Sequence, residues 1–209
     1  MLPQHFPNLP AEQAAHIVVD LETLSTQPNA LVLSIGAVAL TSTGTPVEGG
    51  NFYVVLKQEE QGAVRHISQS TVNWWEQQSI EAQQAAYKPT VCASYVEDAL
   101  DGFSDWVESI SEPKQVLVWG NGCSFDNVIL ASLYDDWHRE RPWSFWNDRD
   151  MRTVTGLMPV LKMLPFEGIK HHALHDAKHE AAQLSRAIQK LDEAFRLLTE
   201  ATAAQRAAA

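Results

Sequence analysis

The sequence predicts a mixed α/β fold, one sheet with helices on both faces. Three observations carry this. Residues 16–22, 31–40 and 51–57 are apolar or alternating runs with short connections, the pattern of an antiparallel three-strand meander. Residues 95–110 read as a long amphipathic helix, and residues from about 175 to 201 as a longer final one. Between them QVLVW, residues 115–119, is a further buried strand by length and composition.

The elements follow in order. Residues 1–14 read as an irregular lead-in. Ile17, Val18 and Val19 are β-branched and place residues 16–22 at the centre of the sheet. LVLSIGAVAL, 31–40, is the second strand, and GTP at 44–46 marks a turn. NFYVVLK, 51–57, alternates and is aromatic, so it is the third. Residues 70–78 are helical. After QVLVW, the glycines of GNGCS turn the chain into a helix near 125–137. Residues 143–146 read as a short strand, and 151–158 as a helix that stops near Pro159. The alanine-rich end, about 202–209, is expected to fray.

At 209 residues the chain is expected to form one domain, 1–209. Seven Trp, seven Phe and four Tyr suffice for a sizeable core. Cys92 and Cys123 do not make a disulfide framework and fit a reducing compartment. MLPQHFPNLP has no basic residue ahead of an apolar run, unlike a signal peptide. The apolar run at 30–40 falls well short of the ~20 residues of a membrane span. A soluble, cytoplasmic protein is expected. A net charge of −11 excludes a stoichiometric nucleic-acid coat, which needs a basic face. It argues less against an enzyme that grips a chain end.

Three acidic sites carry the chemistry. Asp20 and Glu22, in HIVVDLETL, are two apart on a strand and so share a face. Alone they could mark a strand running into an exposed loop. Asp126, in VWGNGCSFDNVIL, falls in the first turn of a helix, where a negative charge is favourable for its own sake. Asp176, in KHHALHDAKHEAAQL, opens the final helix, and His171 precedes it by five. A bland reading makes Asp176 a helix cap with histidines at the surface. The helix projects Asp176, His179 and Glu180 along related faces.

DLET (20–23), FD (125–126) and HHALHDA (171–177) form one ordered set, and at these residues the sequence resembles the DEDDh 3′–5′ exonucleases. It looks most like small stand-alone phage and bacterial members, over about residues 16–190. The resemblance implies an RNase H-like fold, in which parallel strands join the antiparallel meander. It implies Asp20, Glu22, Asp126 and Asp176 as metal ligands and His171 as general base. Two Mg²⁺ or Mn²⁺ ions are the implied cofactors, with Asp20 bridging both. Four clustered acids agree, since divalent cations relieve their repulsion and hard oxygen ligands suit these ions. Two ions about 4 Å apart can serve the attacking and leaving oxygens of a phosphodiester. The implied substrate is a nucleic-acid 3′ end, and the acidic balance favours a single-stranded one. In many relatives an Asn stands four residues before the second Asp; here position 122 is Gly and Asn121 is five before.

Further contacts are weaker. By resemblance, Thr23 and Leu24 hold the terminal nucleotide, although Leu24 is equally explained as core. Asn121, Phe125, Arg149 and Arg152 are candidate substrate contacts. Core packing for Phe125, and pairing of the arginines with Asp148 or Asp150, compete with that role. Trp74 and Trp75 point about 100° apart on a helix, so one is core and the other lies at a rim or cleft. The tryptophan content and long final helix make a homodimer plausible. Two alternatives compete with this reading. His171, His175 and His179 could hold zinc for another hydrolase, although they match no defined zinc signature. A non-catalytic binding module on the same fold has no physical reason to keep so many uncompensated acids.

Overall fold

The computed structural model describes residues 13–112 and 114–207. Most of the lead-in at 1–14 lies outside the described residues. A five-stranded mixed sheet runs in the order β3-β2-β1-β4-β5. Its strands are β1 (His16–Thr23), β2 (Val32–Leu40), β3 (Pro46–Val55), β4 (Leu117–Gly120) and β5 (Asp148–Asp150). β1 pairs antiparallel with β2, and β2 with β3, which is the meander. β4 joins β1 in parallel, and β5 joins β4 in parallel. The element order, sheet and flanking helices are those of the RNase H-like exonuclease fold.

Strand parity distributes β1 between two cores. Ile17, Val19 and Leu21 enter the larger one, with Leu100 and Phe103 of α4 (Val96–Ile110) and Leu130 and Leu133 of α5 (Asp126–Asp136). Val18 faces the other way. It packs with Met151 of α6 (Met151–Leu157) and with Ala177, Ala181 and Leu184 of α7 (Ala173–Ala207). Asp20 and Glu22 share Val18's parity, so they lie on the face that α7 covers. A third cluster closes the end of the sheet with Leu24, Leu31, Leu33 and Trp75. Trp75 belongs to α2 (Gln69–Trp75).

Gly36 sets the distance between α7 and the sheet. It pairs with Asp20 across β1 and β2. A Cβ there would lie 2.2 Å from the backbone of Ala173 and Leu174. Only glycine lets the start of α7 sit directly on β2 beside the β1 acids.

One strand is corrected. The aromatic stretch 143–146 is not a strand: Trp143 is core, and Phe145–Asn147 is a 3₁₀ turn. The strand is Asp148–Asp150, polar in sequence but paired with β4. Asn127 Nδ2 and Trp143 Nε1 hold Asp148 Oδ1 at 2.8 and 2.9 Å, so packing against β4 overrides strand propensity. α7 runs on as helix through Ala207, past the position near 201 where the sequence pattern ends. Short helices at Gln58–Gln61 and Ile80–Ala82, and a π-turn at Gln83–Tyr87, had no clear sequence signal. Trp75 and Trp143 are core, Trp106, Trp119 and Trp137 pack partly against cores, and Trp74 and Trp146 are exposed. Among the described residues no helix is long and apolar enough to cross a membrane.

Candidate active site

The site forms where β1 and β4 diverge and α7 begins. Glu22 is 8% exposed and Asp126 2%, while Asp20, His171 and Asp176 are half-buried. Ligand atoms of Glu22, His171 and Asp176 all lie within 4.8 Å of one another. Asp126 reaches β1, its Oδ1 accepting from the Leu21 N–H at 3.2 Å. It gets there through Gly120, where a Cβ would come within 2.8 Å of the Asp126 Cβ. Asp176 is fixed in the first turn of α7 by the His172 N–H, 3.1 Å from Oδ2.

His171 has φ +61°, a left-handed conformation unusual for a residue with a Cβ. Its ring meets Trp74 edge-on at 4.7 Å. The tryptophan pair divides as its spacing requires: Trp75 is fully buried and donates Nε1–H to the Thr23 carbonyl at 2.8 Å, while Trp74 is 40% exposed. A cleft of about 420 Å³ opens beside His171, lined by Gln78, Ser79, Gly168 and Lys170.

The electrostatics describe a site that repels its own charges. Burial, and then the charges of Glu180, Glu22, Asp126 and Asp176, hold the Asp20 carboxyl well above the usual range. Burial raises Glu22 in the same way, with Asp176 and Asp126 adding repulsion. Asp126 is pushed up to about 7 by burial, against the pull of the Leu21 and Asn121 N–H groups and the Arg152 charge. Burial raises Asp176 too, opposed first by the nearby charge of His171. Divalent cations fit this donor set: carboxylate oxygens and one imidazole converge, and no other described side chain neutralises them all.

The weaker candidates separate. Arg152 is brought to the site, its guanidinium 3.2 Å from where a Gly122 Cβ would stand and close enough to favour ionised Asp126. Arg149 turns away, donating to the carbonyls of Trp146 and Asp148. Asp150 caps α6 through the Arg152 N–H and does not pair with either guanidinium. Leu24 is 4% exposed and packs with Leu31, Leu33 and Trp75. Thr23 donates its hydroxyl to the Ser25 carbonyl, and Phe125 packs partly on the larger core. Asn121 lies near Glu180 and favours its ionised form.

The zinc alternative does not assemble. His175 Nδ1 accepts from the Ile169 N–H at 3.0 Å and its ring stacks on His172. His179 pairs with Gln183 at 3.0 Å. Among the described residues, ligand atoms of Glu22, His171 and Asp176 converge within 4.8 Å, and neither His175 nor His179 joins them.

Residues 15–188 match the family model of the 3′-5′ exoribonuclease Rv2179c-like domain. The chain belongs to this family. It is a 3′–5′ exonuclease of the DEDDh type, and divalent-metal dependence is typical of that family. An exodeoxyribonuclease of Enterobacteria phage T4 is 26% identical over 191 residues, covering 79% of this chain and 84% of its own. The nuclease domain of 3′hExo, a DEDDh family member bound to rAMP, superposes with a TM-score of 0.58 at 15% identity. The match covers 87% of this chain and 95% of that one. E. coli exonuclease I in complex with a dT13 oligonucleotide gives 0.59 at 15% identity, over 90% of this chain and 44% of the longer neighbour.

Glu180 is the residue that sequence reasoning left out of this exonuclease site. It is 5% exposed, one helical turn after Asp176, and its carboxyl is held well above the usual range by burial and by Asp126. The signal was present: i and i+4 share a helix face. No motif, however, says which face of α7 meets the sheet.

Proposed function

We propose that this exonuclease releases nucleoside 5′-monophosphates from single-stranded 3′ ends. In this reading Asp20, Glu22, Asp126 and Asp176 hold two Mg²⁺ or Mn²⁺ ions, and His171 is the general base. The convergence of Glu22, His171 and Asp176 within 4.8 Å, beside Asp20 and Asp126, carries it. Bound divalent ions supply Lewis-acid stabilisation of charge on the phosphate and acidify water.

The chain's own residues do the rest. His171 accepts the proton of the attacking water, and the imidazolium formed has Asp176 and Glu22 beside it as counter-charges. Trp74, edge-on to the ring, restricts its rotation and keeps the accepting nitrogen in the site. The cleft beside His171 receives the end of the strand, and Arg152, close to Asp126, offers a cationic contact for a phosphate. The acids address phosphate, which both sugars share. The family's description names an exoribonuclease and the T4 relative is an exodeoxyribonuclease, so the proposal covers RNA and DNA single strands. Cys92 and Cys123 are both free, in keeping with a cytoplasmic setting.

A 3′-labelled single-stranded RNA and its DNA counterpart test this reading. The label should leave as a mononucleotide with Mg²⁺ or Mn²⁺, and stay on the strand with a chelator or with Asp20→Ala. Undiminished release by Asp20→Ala would sink the assignment.

A further inference from the structure

We propose that Glu180 is a fifth carboxylate of the metal cradle, its Oε2 available to a divalent ion held by these acids. The inference rests on the reading that this acid cluster binds divalent ions. Glu180 lies at i+4 from Asp176, on the stripe of α7 that faces the sheet, next to buried Ala177, Ala181 and Leu184. It is 5% exposed. Asn121 lies close enough to favour its ionised form, yet Oε2 is buried with no hydrogen-bond partner. Such an atom is costly unless something else meets it.

Its neighbours indicate what that is. Of the carboxylates around Asp20, Glu180 repels it most, and Glu180 is itself repelled most by Asp126. Glu22, Asp176 and His171 converge within 4.8 Å, and Glu180 adds a buried carboxylate that feels the charges of Asp126 and Asp176 and acts on Asp20. Arg152 lies nearby, but Arg152 and Glu180 form no ion pair within 4 Å among the described residues. A glutamine at 180 would keep the size of the side chain and remove the repulsion, whereas a cation would favour the ionised carboxylate.

Titration of the full chain with Mn²⁺, followed by calorimetry, tests this on wild type, Glu180→Gln and Glu180→Asp. Mn²⁺ affinity should fall by roughly tenfold or more in Glu180→Gln, with a smaller loss in Glu180→Asp, which keeps the charge on a shorter arm. Melting in chelator is the second readout: Glu180→Gln should unfold a few degrees higher than wild type, because the buried repulsion is gone. Mn²⁺ binding equal to wild type in Glu180→Gln overturns the assignment of Glu180 alone. If that variant does not fold, equal binding by wild type and Glu180→Asp overturns it. A wild type that binds no Mn²⁺ overturns the metal reading and this inference with it.

Discussion

Asp126 shows how a single residue couples the site to stability. Its carboxyl sits at about 7 in the folded protein, against roughly 3.9 in an unfolded chain. Between these values the folded state keeps a proton that the unfolded chain releases. Stability of the metal-free protein therefore falls as pH rises from about 4 to about 7. Melting temperatures in chelator across that range check the sign, and a rise with pH would contradict it. Mn²⁺ should reverse the trend, since it binds ionised carboxylates and the folded state only. Neighbouring residues show what local pattern cannot resolve. Trp74 and Trp75 are alike in sequence, yet one flanks His171 and the other donates to the Thr23 carbonyl from the core. Arg149 and Arg152 are three apart, yet only Arg152 reaches the acids.

Elements bring these side chains together, and the contact of β2 with α7 is the decisive one. Gly36 leaves 2.2 Å between an imagined Cβ and the Ala173 backbone, so neither side has a flexible atom to give. Gly36→Ala should force α7 off the sheet, with an overpacking cost of about 1–3 kcal/mol. His171 and Asp176 would move with the helix start. A shift near 1 Å can cost about 100-fold in turnover, more than the stability loss explains. Melting and steady-state kinetics on one preparation separate the two effects; full activity would refute the role given to this contact. The strands β1 and β2 were legible because their β-branched and apolar runs are long. β5 was not, because Asp148–Asp150 becomes a strand through pairing with β4, and its own residues favour no such state.

At the scale of the whole molecule, α7 does two separable jobs. Its first half is built into the fold, with Ala177, Ala181 and Leu184 in the core and Asp176 and Glu180 at the site. Residues 189–206 are exposed throughout, and the family match ends at 188. A chain ending at Lys190 should keep its fold, its exonuclease activity and a Tm within a few degrees of the full chain, because little buried surface is lost. Loss of turnover or cooperative melting in that truncation would assign the distal helix a structural role.

The sequence by itself determined the central strand, the shared face of Asp20 and Glu22, and the ordered acids with His171 that mark the exonuclease family. These rest on period-2 alternation, glycine turns and spacing, all local properties of the chain. Only the tertiary structure decided that Glu180 joins the acids, that His171 takes a left-handed backbone against Trp74, and that His175 and His179 stay out of the site. Each of those depends on which face of α7 meets the sheet. That face is chosen by packing between residues more than 100 positions apart, such as Gly36 and Ala173.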